Sequence, residues 1–85
     1  MKITYHNDSG HGWYSVKRSV LESMRVLNKI SSFSYQKGDS VYLEEDYDAG
    51  FFFNNLSSQK LDSIEVIDSY EDISPVRNYD RFSLT

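Results

Sequence analysis

Residues 30–53, ISSFSYQKGDSVYLEEDYDAGFFF, pass from a hydrophobic period of two to a period of 3.6. Phe33 and Tyr35 alternate with Ser32 and Ser34, which predicts a half-buried strand from Ile30 to Gln36. Lys37-Gly38-Asp39 then reads as a hairpin turn with Gly38 left-handed. Ser40 to Glu44 returns as a second strand, Val41 and Leu43 on one face and Tyr42 on the other. Past Glu45 the period lengthens. Ala49, Phe52, Phe53 and Leu56 recur at i, i+3, i+4 and i+7, the core stripe of a helix. Asp46 is the predicted N-cap, and Asp48 falls in the first turn, where the helix dipole favours an anion. Gly50 weakens that helix by about 1 kcal/mol relative to Ala. Phe51 is off the stripe. Three consecutive Phe cannot share one side of a helix, so one is expected to be exposed, to pack on another element or to meet a partner.

The flanks supply cover for this unit. Ile3 and Tyr5 alternate in residues 2–6, Asn7-Asp8-Ser9-Gly10 is a turn, and a partner strand follows at about Trp13 to Lys17. Ser19-Val20-Leu21-Glu22 fits a capping box, with Val20, Leu21, Met24 and Leu27 on one helical face and Asn28-Lys29 as its end. Leu61 to Asp68 reads as a strand from its β-branched Ile64, Val66 and Ile67, although Leu61, Ile64 and Ile67 also fit a helical stripe. Ser74-Pro75 marks a turn, and Val76 to Phe82 is a short edge strand or an ordered tail. The order β-β-α-β-β-α-β predicts an α+β fold, a small, mostly antiparallel sheet with two short helices on one face.

At 85 residues the chain is expected to form a single domain over residues 1–85, with a thin core. It has no cysteine, so thirteen aromatic side chains must supply much of that core. The sequence shows neither the apolar run of a signal peptide nor a bilayer-length segment, which points to a cytoplasmic protein without a membrane role. The net charge is −4 and unevenly placed. Residues 1–38 carry six Lys/Arg against Asp8 and Glu22, while residues 39–76 carry ten acids against Lys60 alone. Either the halves neutralise each other across the fold, or an acidic face meets a basic partner. Direct nucleic-acid binding is disfavoured, because the basic footprint is absent.

Catalytic chemistry finds little support. His6, Asp8 and His11 lie close in sequence, but three candidates on one loop fall short of a complete site, so neither metal nor cofactor is expected. Glu44, Glu45, Asp46 and Asp48 lack the spacing of a calcium loop. Helix capping and a solvated corner explain them, with a partner-binding patch as the functional alternative. No G-x-S-x-G, P-loop or G-x-G-x-x-G occurs. Trp13 is either core or an interface anchor.

In His11-Gly12-Trp13, Ile30-Ser31-Ser32-Phe33-Ser34-Tyr35 and Val41 to Ala49, the chain resembles small proteins encoded by bacteriophages and mobile elements. The resemblance spreads over residues 3–82, including Pro75 to Tyr79. In those relatives Cys often stands at the position of Tyr47, so a thiol role there is absent here. The resemblance implies an origin in an infected bacterial host rather than a mechanism. Small acidic phage proteins often inactivate a host system by binding it, as anti-CRISPR and anti-restriction proteins do. By that class argument the expected function is non-enzymatic inhibition of a host nucleic-acid-handling or defence complex. The expected partner is a host protein with a basic nucleic-acid-binding surface. Glu44, Glu45, Asp46, Asp48, Asp62, Glu65, Asp68, Glu71 and Asp72 would face it, with Phe51, Trp13 or Tyr47 as anchors. The alternative is a phage accessory or regulatory domain acting as a homodimer, and a small metal-binding protein ranks third.

Overall fold

The computed structural model describes residues 1–84. Six strands form one sheet: β1 (Lys2–Asn7), β2 (Gly12–Lys17), β3 (Tyr35–Lys37), β4 (Ser40–Glu44), β5 (Glu65–Tyr70) and β6 (Asp80–Arg81). Their order is β5-β1-β2-β4-β3-β6. Every neighbouring pair is antiparallel except β1 and β5. The helices are α1 (Arg18–Ser23), α2 (Asp48–Asn54) and α3 (Ser58–Asp62). The fold is α+β, as the hydrophobic periods indicate. Among the described residues, no helix is long and apolar enough to cross a membrane.

The sheet has two unlike faces. Val16 stands opposite Val41 and Tyr14 opposite Leu43. With Ile3, these side chains line the face that Leu21 of α1 and Ala49 and Phe52 of α2 close over. Each such large side chain, fully buried, contributes about 1.5–3 kcal/mol. The other face carries His6, Trp13, Tyr35 and Tyr42, and there the C-terminal segment replaces the helices. Arg77 lies over the Trp13 ring at 5.3 Å, and the Tyr79 ring sits 5.0 Å from that of Tyr42. A 3-10 turn, Pro75–Asn78, buries Val76 there, and Ser74 caps it through Val76 N–H.

The two hairpins and the left-handed Gly38, at φ 59°, stand as the sequence predicts. Five boundaries differ, each for a physical reason. The capping box at Ser19 does not form, since α1 already starts at Arg18 and no side chain caps it. That helix stops at Ser23 rather than running to Leu27. Arg25 adopts φ 60°, Val26 N–H donates to Leu21 O, and Arg25 N–H to Glu22 O. These are the two bonds of a Schellman stop, usually built on Gly. β3 begins only at Tyr35, because residues 31–34 turn around the Asp48 carboxylate; Phe33 is therefore exposed and not half-buried. Asp46 caps nothing: Tyr47 precedes α2, and the Asp46 N–H donates to Glu44 Oε1. The predicted strand from Leu61 starts instead at Glu65, after α3, which Ser57 caps through Lys60 N–H.

Candidate partner-binding groove and acidic end

Strand direction gathers the acids. β1, β4 and β5 run the same way, so the C-terminal ends of all three meet at one end of the sheet. Glu44, Glu45 and Asp46 leave β4 there, and Glu71 and Asp72 leave β5 there. Glu71 N–H donates to Asn7 O, and Glu45 N–H to Gly12 O, which ties both acidic runs to the β1–β2 hairpin. The opposite end holds Lys2, Lys17, Arg18 and Lys37. It is only partly neutralised: Lys17 Nζ lies 3.1 Å from Asp39, and Glu65 stands opposite Lys2. Part of each charged half of the sequence thus gathers at its own end of the molecule, while Asp39 and Glu65 lie at the basic end.

Beside the acidic end, on the face away from the helices, lies a groove of about 560 Å³. Trp13 and Tyr35 meet edge to face at 5.9 Å along it. Phe33 and Tyr47 form its rim, also edge to face at 5.6 Å, and are 59% and 60% exposed. His11, Glu44 and Asp46 line its acidic side, and Arg77 and Arg81 line the other. Arg81 lies 4.6 Å over Tyr35 and donates to Ser32 O. Exposed paired aromatics beside carboxylates suit contact with a protein that presents cationic side chains.

The sequence-predicted site residues divide. Asp46, Tyr47, Glu71 and Asp72 are exposed; Asp68 is exposed too, but its Oδ1 accepts from Asn7 Nδ2 at 2.9 Å. Trp13 is 2% exposed and shapes the groove from beneath, so it is core and groove at once. Asp48 cannot meet a partner. It is 2% exposed and accepts from Ser31 N–H, Ser31 Oγ (2.7 Å) and Ser34 Oγ (2.5 Å). Ser34 Oγ in turn accepts from Glu44 N–H at 3.0 Å. Glu44 is buried and Glu45 accepts from the Tyr5 hydroxyl, so neither is a free surface charge. That bond, with burial and the Glu45 charge, pushes the Tyr5 phenol well above its usual range. Phe51 is half-buried and packs against the helix-side core, not the groove. Asp62 closes α3 and Glu65 starts β5, both away from the acidic end. Phe33, Tyr35, Arg77 and Arg81 are groove residues that the period alone did not mark.

The His6, Asp8 and His11 grouping does not assemble. The His6 ring stacks edge-on against Tyr42 at 5.4 Å, and burial holds its pKa below the usual value. The Asp8 carboxylate accepts from Arg77 Nε (2.7 Å) and Nη2 (2.9 Å), and from the N–H groups of Ser74, Gly10 and His11. The Arg77 guanidinium first, then the Ser74 N–H, hold the Asp8 carboxyl far below the ordinary carboxylate range. A depressed folded-state pKa stabilises fully above the unfolded value of about 3.9 and is lost as pH falls toward the folded value. Melting temperatures from pH 7 to 2.5 should therefore fall more steeply for the wild type than for Asp8→Asn. Parallel curves would show that this clamp contributes nothing to acid sensitivity.

No protein-family model, curated protein or solved structure matches this chain.

Proposed function

We propose that the protein acts by contact, docking its acidic end and aromatic groove on a basic surface of a nucleic-acid-handling protein and so blocking it. The observation that carries this reading is the convergence of the exposed Asp46 with Glu71 and Asp72 at one end of the sheet, beside an exposed aromatic pair. Spaced carboxylates attract a surface built for phosphates, and exposed rings supply desolvated anchors. The resemblance to phage-encoded proteins makes a host defence complex, of the kind anti-CRISPR proteins block, the target class. The test is capture from a bacterial lysate at low salt and at about 0.5 M salt. A stoichiometric nucleic-acid-binding protein should be held at low salt and released at high salt. Glu71→Lys/Asp72→Lys reverses two exposed charges. It should slow association at least tenfold, the scale of electrostatic steering, and leave the melting temperature unchanged. Unaltered binding by this variant would remove the acidic end from the interface.

A second reading, a self-associating accessory protein, is favoured by the same polarity. Opposite charge at opposite ends permits head-to-tail contact between copies. Sedimentation separates the two: one salt-independent species supports the first reading, and salt-sensitive self-association supports the second. The exposed acids Glu65 and Asp68 weigh against pairing through the open edge of β5, because charge on an edge strand disfavours sheet extension.

A further inference from the structure

We infer that His11, Glu44 and Asp46 form a binding site for a divalent metal ion of the zinc class, opening into the groove. One ligand atom from each residue lies within 4.8 Å of the other two. The β2–β4 register makes this meeting. Trp13 stands opposite Glu44, so His11, just before β2, comes alongside the end of β4. Asp46 follows two residues later, in the turn that leads to α2.

The second observation is an orphaned oxygen. Glu44 Oε1 accepts from the Asp46 N–H at 2.6 Å, which fixes the carboxylate. Glu44 Oε2 is buried and makes no hydrogen bond. His11 Nδ1 is 3.2 Å away, close enough for an ion pair but without hydrogen-bond geometry. A buried carboxylate oxygen without a hydrogen bond is costly, and a bound cation would satisfy it. Two donor atoms about 3.0–3.4 Å apart also match the spacing of neighbouring ligands around an ion held at about 2.1 Å. One imidazole and two carboxylates form a borderline donor set that suits Zn²⁺ before Mg²⁺ or Ca²⁺.

The surroundings permit a cation. The nearest guanidinium groups are engaged elsewhere, Arg77 with Asp8 and Arg81 with Tyr35 and Ser32 O. Glu44 is rigid through Oε1, as an outer-shell bond should make it. Three protein ligands leave a coordination position facing the groove, the arrangement of an open site. The site does not depend on the partner proposed above, because it needs only residues of this chain.

The test is titration of the chelator-treated full chain with ZnCl₂, followed by calorimetry and by NMR of the two histidine rings. The expected result is one equivalent bound, with the His11 ring signals moving and those of His6 fixed. The melting temperature should rise in the same titration. His11→Ala and Glu44→Gln should each weaken binding at least tenfold. His11 is an exposed loop residue, so its variant remains informative if the Glu44 variant unfolds. No heat and no change in melting temperature at about 1 mM Zn²⁺ would overturn the inference. So would binding that His11→Ala leaves intact.

Discussion

Asp48→Ala should cost about 3–5 kcal/mol, most of the stability of a domain this small. The loss exceeds one hydrogen bond because three donors converge on this carboxylate: Ser31 N–H, Ser31 Oγ and Ser34 Oγ. The Ser34 hydroxyl would be left where water does not reach, since Ser34 is fully buried and Asp48 is 2% exposed, and the two donors of half-buried Ser31 would lose their acceptor at its margin. The damage also spreads. Ser34 Oγ holds Glu44 N–H, so the turn at 31–34, the end of β4 and the start of α2 share this one anchor. At about 4–8 °C per kcal/mol, the melting temperature should fall by roughly 12–40 °C. Asp48→Asn keeps one acceptor oxygen and should lose less than half as much. Urea unfolding of the three proteins measures this. A loss under 1 kcal/mol in the alanine variant would mean that the network contributes little.

Gly12→Ala should cost about 2–3 kcal/mol, although Gly12 lies in a strand where alanine is ordinarily harmless. A Cβ at Gly12 would overlap the Tyr5 ring. That ring cannot swing away cheaply. It packs on Tyr14 at 4.6 Å between centroids, and its hydroxyl donates to Glu45. The overlap would therefore push out the side chain that tethers Glu45 at the acidic end. A double-mutant cycle isolates the cause. In a Tyr5→Ala background, Gly12→Ala should be nearly neutral. An equal cost in both backgrounds would place the penalty in the backbone.

The fold was legible where period and turn chemistry agreed. Val41 and Leu43 alternating after Lys37-Gly38-Asp39 gave β4 and its hairpin, and Ala49, Phe52 and Phe53 gave the buried side of α2. It was illegible where a distant side chain overrode a local pattern. Phe33 and Tyr35 alternate as in a strand, yet Asp48, fourteen or more residues on, captures Ser31 and Ser34 and turns that segment outward. The same carboxylate reads as a surface charge because sequence shows its type and not its burial. The signal was present in Ser31 and Ser34, small donors suited to a buried acceptor.

The acidic runs were visible as composition, but their meeting was not. It depends on the parallel pairing of β1 with β5, a non-local choice that brings Glu71 beside Asn7. Arg77 and Arg81 were hidden for a related reason. Only the crossing of the C-terminal segment over the Trp13 face places them at the groove.

The most direct measurement on the central claim is competition on a captured complex. A labelled DNA or RNA oligonucleotide known to bind the captured partner is added at increasing concentration, and the release of this protein is followed. If the acidic end covers the partner's phosphate-binding surface, the two ligands are mutually exclusive and the oligonucleotide displaces the protein. A stable ternary complex, with both bound at saturation, would contradict the account.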